Sequence, residues 1–336
     1  MRNSKVGIRS TVSEYGIVLV LVAVLIFFSI MSNKFFTVSN LITIARQVAM
    51  VGIASCGMLI ILILGQIDLS IGSMASLVGV LAAFLMKRSI APGIACLIVF
   101  IAMGLVGLLQ GFLVAKIKVP AFIVTMSFMN ILSGAAYLLI QGKPIYDFSD
   151  NFSWLGQGYV SIIPIPVIVM VVCLLISWFL LKKAYFGRYF YALGGNEEAA
   201  LLAGINVPMV KMIAFIISAL FTTLAGLVLL SRIQTGNAGN GTGFEFDVIT
   251  ACVLGGVSPS GGKGQVFNII VGTLIIGVLN NGMIILGMSV YLQLVIKGAI
   301  LVTAVSFDAM QKNREKTASD SKYRKELKEG KALAEQ

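Results

Sequence analysis

Long apolar runs separated by short polar stretches dominate the chain, and a run of about 20 residues is what a helix needs to cross a bilayer. Ten candidates stand out, at residues 15–32, 41–64, 70–86, 91–115, 119–140, 165–181, 209–231, 246–257, 264–286 and 290–307. The eighth is too short to cross as a regular straight helix, since each residue adds only about 1.5 Å. Spanning segments in hydrocarbon must satisfy their own backbone polar groups, which helices do. The expectation is an all-α polytopic membrane protein of about ten transmembrane helices, with residues 1–310 as a single transmembrane domain. Residues 311–336 mix Lys, Arg, Asp and Glu and read as a charged cytoplasmic tail, disordered or frayed. Arg2, Lys5 and Arg9 precede the first run in the manner of a signal peptide. That run is about as long as a membrane span, however, and Ser32-Asn33-Lys34-Phe35-Phe36 after it offers no small-residue cleavage site, so the segment is expected to be retained.

Composition agrees and narrows the possibilities. The residues AVILMFWYC make up 58% of the chain before its 35 glycines are counted, against about 45–50% apolar in soluble domains with glycine included. Charged residues reach only 12%, half of the usual ~25%, too few to coat a soluble globule of this size. The net charge of +11 raises the question of nucleic acid, and its placement answers it. With a cytoplasmic N-terminus and ten spans, Arg2, Lys5, Arg9, Lys116, Lys118, Lys182, Lys183, Arg188, Lys211 and Lys263 fall inside. Outside fall Lys34, Arg46, Lys87, Arg88, Lys143 and Arg232. The tail adds further positives to the inner side, which is the bias that sets topology, so no nucleic acid is called for. Cys56, Cys96, Cys173 and Cys252 are isolated in apolar runs, and the chain has no histidine. That removes zinc sites, disulfide frameworks and every histidine-dependent catalytic scheme, and no metal-ligand set or enzyme is expected.

Polar and glycine positions carry an internal repeat. Residues 68–80 (DLSIGSMASLVGV) lie over 245–257 (EFDVITACVLGGV) at an offset of 177, pairing Asp68 with Glu245, Ser73 with Thr250 and Gly79 with Gly256. Gly107 to Gln110 lie over Gly277 to Asn280 at an offset of 170. Spans 2–5 thus repeat as spans 7–10, and a displacement of five helices inverts the copy in the bilayer. Inverted repeats recur in transporters, where interrupted helices at matching positions of the two halves mark a midplane site. Here the interruptions are residues 65–73 and the stretch 236–264, which holds nine glycines. The candidate pathway residues are Gln66, Asp68, Ser70, Gly72 and Ser73 in one half, and Glu245, Asp247 and Asn280 in the other. Broken backbone at membrane depth must be buried in protein or line a cavity, and acidic groups there must be paired or wet. The competing reading makes Asp68 and Ser70 simple caps of the helix that follows. Gly107 and Gly111 permit close helix approach, a matter of packing.

The longest loop, between the sixth and seventh spans, contains Asn196 as an N-cap, Glu197 and Glu198 in a first turn and Gly204 as a stop. It predicts a helix of about two turns, too short to stand alone in water, so it must rest on a partner or on its own spans. Residues 186–200 (FGRYFYALGGNEEAA) closely resemble the coupling-helix region of ribose-type bacterial ABC sugar importer permeases, in the branched-chain amino acid/ribose permease superfamily. Motifs resembling that family also occur at 65–73 (GQIDLSIGS), 243–247 (GFEFD), 254–258 (LGGVS) and 261–264 (GGKG), and the likeness runs from about residue 35 to 307. Gln66 departs from the usual Gly, Val248 from the usual Ala, and the tail is longer than usual.

The resemblance implies a type II importer-like fold and a homodimer in the bacterial cytoplasmic membrane, with both termini cytoplasmic. It also implies a separate ATPase with tandem cassettes and an extracytoplasmic sugar-binding protein that delivers a monosaccharide. Gly194, Gly195, Asn196, Glu197, Glu198, Ala199, Ala200 and Gly204 would couple to the ATPase. Residues 261–264 lack the phosphate-loop spacing, so no cofactor is expected in this chain and Mg-ATP would sit on the partner. Lys87, Arg88 and Arg232, with Lys34 and Lys143, are outer-face candidates for docking the binding protein by charge. The alternatives are an ion-coupled secondary transporter, which shares inverted repeats but needs more intramembrane ionisable groups than Asp68, Glu245 and Lys297, and an intramembrane enzyme.

Overall fold

Two long helices form the centre of the bundle, and the reason is visible in what covers them. In a computed structural model, which describes residues 4–148 and 150–310, these are α2 (Val38–Ile63) and α10 (Val207–Ile233). Most of each is buried, whereas α4 (Pro92–Ala115), α5 (Ala121–Ile140) and α7 (Ile165–Lys182) bury about a third of their apolar length. The remaining helices are α1 (Ser4–Met31), α3 (Ile71–Lys87), α6 (Trp154–Gln157), α8 (Tyr185–Gly195), α9 (Glu197–Leu202), α11 (Phe244–Leu254), α12 (Val266–Ile285) and α13 (Val290–Met310). Seven of them, α2, α4, α5, α7, α10, α12 and α13, are long and apolar enough to cross a membrane. The apolar part of α1 at Gly16–Met31 and all of α3 are shorter, and α11 has 11 residues, about 17 Å of helix against a hydrocarbon core of ~30 Å. The expected tail, 311–336, lies outside the described residues.

Local chemistry sets the helix ends. Pro92, Pro166 and Pro208 occupy first-turn positions of α4, α7 and α10, where the missing N–H costs nothing. Gln141 and Gln234 close α5 and α10 in the left-handed conformation. The chain is not purely helical: Tyr159–Val160 and Ile163–Pro164 pair as a small antiparallel ribbon at the end of α7 remote from α8. Residues 150–157 and this ribbon are tied down by hydrogen bonds from Gly156 N–H to Ser231 Oγ (2.7 Å), Gln157 Nε2 to the Arg232 carbonyl (2.9 Å) and Arg46 Nη2 to the Gln157 carbonyl (2.6 Å).

Helix packing follows the glycines. A Cβ at Gly107 of α4 would lie 2.7 Å from the Ala219 Cβ and the Phe215 carbonyl of α10, and one at Gly111 would lie 2.7 Å from the Met212 Cα. Gly277 of α12 likewise admits Val48 of α2. So α4 lies along α10 and α12 along α2, and the contact glycines Gly107 and Gly277 sit at the repeat offset of 170.

Candidate functional site

The first interruption begins where α2 ends. Leu64 leaves the helix, Gly65 turns at φ +70°, and α3 starts only at Ile71. Between them Asp68 is buried, its Oδ1 accepting from the Ser70 N–H (2.9 Å) and the Ser70 hydroxyl (2.6 Å). Gln110 of α4 donates to the Ser70 Oγ (2.8 Å), and Thr125 of α5 donates to the Ile67 carbonyl (3.2 Å). Ser70 stands at the N-cap of α3, yet its side chain caps nothing. Its hydroxyl serves Asp68, so the pair is a buried polar knot held by two neighbouring helices and not a surface cap. Among the described residues Asp68 has no ion-pair partner.

The second interruption runs from Gly236 to Gly243 and re-enters the bundle beside α3. Gly241 N–H donates to Ser76 Oγ (2.8 Å), and Gly243 at φ +81° starts α11. Glu245 and Asp247 occupy the first turn, where the helix dipole favours anions, and both are buried. Asp247 Oδ2 accepts from Asn280 Nδ2 of α12 and from Lys297 Nζ of α13, each at 2.9 Å. The Lys297 and Asp247 side chains are only 18% and 10% exposed, so this is a charge pair inside the apolar bundle. Among the described residues Asp247 Oδ1 and Asn280 Oδ1 are buried acceptors with no hydrogen-bond partner, placed to take a hydroxyl or water proton.

The two interruptions meet. Gly72 presses directly on the Glu245 carboxylate and the Gly241 carbonyl, with room for a hydrogen and nothing larger. The Asp68–Ser70 knot and the Asp247–Asn280–Lys297 group are thus joined through one contact, Gly72 of α3 against Gly241 and Glu245. At the repeat offsets Ser70 matches Asp247 and Gln110 matches Asn280, and the hydrogen bonds Gln110 to Ser70 and Asn280 to Asp247 join those same positions. Sequence reasoning left Gln110, Thr125 and Lys297 out of the site. Lys297, a lone charge inside an apolar run, and Gln110, aligned with a chosen Asn, carried a readable signal; Thr125 did not.

On the face where α7 ends, Asn196 Oδ1 accepts from the Ala199 N–H (2.9 Å), Glu197 and Glu198 begin α9, and Gly204 at φ +81° stops it. Glu197 pairs with Lys211 of α10 at 2.8 Å, and Ala200 is buried against the bundle. Glu198, Leu201 and Leu202 face outward, Leu202 at 89% exposure. α9 thus rests on its own chain through one side and presents carboxylate and leucine on the other. At the opposite end of the bundle Lys87 and Arg88 are exposed, Lys87 donating to the Tyr146 (3.1 Å) and Asp147 (3.2 Å) carbonyls. Arg232 is half-buried, with its guanidinium against the Met50 sulfur.

Residues 40–305 match the family described as branched-chain amino acid transport system / permease component. The chain belongs to this permease family. The ribose import permease protein of Haemophilus influenzae is 39% identical over 284 residues, covering 83% of this chain and 88% of that one. Its Escherichia coli K12 counterpart is 38% identical over 294 residues, 86% and 91% of the two chains. The L-arabinose transport system permease protein of the same strain is 37% identical over 304 residues, 90% and 93%. No solved structure matches the chain. With its long apolar helices, the permease is a multi-pass membrane protein.

Proposed function

We propose that this permease is the membrane-spanning subunit of an ATP-driven importer that passes a monosaccharide into the cytoplasm. The single observation that carries the reading is the meeting of two interrupted helices at Gly72, Gly241 and Glu245, with unpartnered acceptors at Asp247 and Asn280 beside it. A sugar offers hydroxyl donors to such acceptors, and relatives covering most of the chain are ribose and arabinose permeases. Family membership favours this over ion-coupled transport.

In this reading the chain crosses the bacterial cytoplasmic membrane ten times with both termini inside, α11 crossing together with the re-entrant stretch before it. Spans 2–5 and 7–10 are an inverted repeat. The matched bonds of Gln110 and Asn280 and the matched glycine contacts of Gly107 and Gly277 support it. Two copies of the chain enclose the path, a separate tandem-cassette ATPase binds Mg-ATP and docks on α9, and an extracytoplasmic binding protein delivers the sugar.

The first test is to extract the tagged chain from native membranes in mild detergent and identify its companions by mass spectrometry. An ATPase with two nucleotide cassettes at comparable stoichiometry is expected; a chain that leaves alone, supporting uptake abolished by an ionophore but insensitive to ATP depletion, would return the secondary-transporter reading. Replacing Glu197 and Glu198 by Lys breaks the Lys211 pair and reverses the exposed charge of α9. Sugar uptake is expected to fall at least about tenfold at unchanged expression; undiminished uptake would remove α9 from coupling. At the other face, Lys87→Glu with Arg88→Glu is expected to raise the binding-protein concentration for half-maximal uptake about tenfold at low salt. The difference should shrink in high salt, where exposed charges are screened.

A further inference from the structure

The structure carries a second glycine meeting point, below the first, where three backbones touch without side chains between them. Gly194, next to last in α8, lies against the Ile63 carbonyl at the end of α2, and a Cβ there would overlap it and come 2.7 Å from the Gly262 nitrogen. Gly262 N–H donates to the same Ile63 carbonyl (2.8 Å). Gly261 packs on Gly65, where a Cβ would be 2.9 Å from the Gly65 nitrogen and 2.7 Å from the Gly194 carbonyl. Gly65, Gly261 and Gly262 all have positive φ, at +70°, +86° and +73°, so side chains are disfavoured there on two counts. One further bond locks the arrangement, from the Tyr191 hydroxyl of α8 to the Gly264 carbonyl at 2.7 Å.

Each of the three backbones leads to a different functional part. Gly194 is two residues before the Asn196 cap of α9. Gly65 is the first residue of the Asp68 interruption, and Gly261 and Gly262 lie in the connection from α11 to α12. We propose that the Gly65–Gly194–Gly261–Gly262 junction is a positioning element, transmitting displacement of α9 simultaneously to both halves of the buried site. Backbone against backbone leaves no rotamer to absorb a shift, so α8, the end of α2 and the α11–α12 connection move as one body, and close-packed contacts of this kind switch between arrangements instead of deforming gradually. The proposal rests on the reading of α9 as the ATPase contact, and names how that contact reaches the site.

The test uses the full complex, permease with its co-purified ATPase in lipid nanodiscs for hydrolysis and in proteoliposomes for uptake, with the binding protein and sugar present. Gly194→Ala is expected to keep the ATPase bound, while binding-protein-stimulated hydrolysis and sugar imported per ATP fall about tenfold. Gly104→Ala on α4 is the control, because a Cβ there would stand 3.7 Å from Leu220 in ordinary contact and away from the junction, and it is expected to behave as wild type. Should Gly194→Ala fail to fold, Tyr191→Phe removes only the hydroxyl bond and is expected to lower imported sugar per ATP at least about twofold while the protein stays folded. Full coupling in a folded Gly194→Ala, equal loss in Gly104→Ala, a folded Gly194→Ala that no longer holds the ATPase, or, where Gly194→Ala does not fold, wild-type coupling in Tyr191→Phe would each overturn the proposal. A wild-type chain that holds no ATPase at all would instead remove the importer reading on which it rests.

Discussion

Lys297→Met is expected to destabilise the permease by about 3–5 kcal/mol, because it leaves the Asp247 carboxylate buried without its cation. The Asn280 amide cannot compensate, since a neutral donor does not balance a charge in a poorly polarisable interior. Lys297 sits on α13, whose apolar window has no fully buried residue although Ile296, Leu301 and Ala304 pack partly buried on the core, and this pair ties α13 to α11. The double variant Asp247→Asn with Lys297→Met removes both charges and is expected to regain most of the loss, since replacing a buried pair by neutral groups is often close to neutral. Thermal unfolding in detergent, compared as a double-mutant cycle, measures this. If the loss in the double variant equals the sum of the losses in the Lys297→Met and Asp247→Asn single variants, the pair contributes no coupling and α13 is held by other contacts.

The second large effect is expected at Gly72. Gly72→Val would force bulk into the space filled by the Glu245 carboxylate and the Gly241 carbonyl, separating α3 from the start of α11. Overpacking of this kind costs about 1–3 kcal/mol or more, and here it displaces the two interruptions from each other. Uptake is expected to fall below a tenth of wild type even where the protein still reaches the membrane. Gly79→Ala, on the same helix, is the comparison, since its new Cβ would stand 3.7 Å from Leu230 in ordinary contact. Equal uptake by the two variants would show that the close approach at Gly72 is not needed for transport.

Some of these features are legible in the linear order of residues because they depend on neighbours a few positions away. The α9 cap is one: Asn196, its bond to Ala199 and the stop at Gly204 are all local. Asp68, Glu245 and Asp247 attract notice as acids in or beside apolar runs, since the energy of placing charge in hydrocarbon is a property of composition. The partners of those acids are another matter. Gln110 reaches Ser70 across 40 residues and Lys297 reaches Asp247 across 50, and no periodicity encodes which polar residue of a distant helix will arrive there. Arg232 is a further case in which distant segments supply the surroundings. It sits at a helix end as an outer-face charge, with the segment 154–157 packed on its backbone and its guanidinium against the Met50 sulfur.

From the sequence alone came the lipid environment, the helical runs, the interruptions and the short capped helix, because each follows from local hydrophobicity, backbone preference and capping within a few residues. Only the tertiary structure decided that the two interruptions touch at Gly72, that a lysine on a peripheral helix neutralises Asp247, and that four glycines join α8 to both halves of the site. Those outcomes depend on how closely separate helices approach. That distance is set by side chains, or by their absence, on segments far apart in the chain.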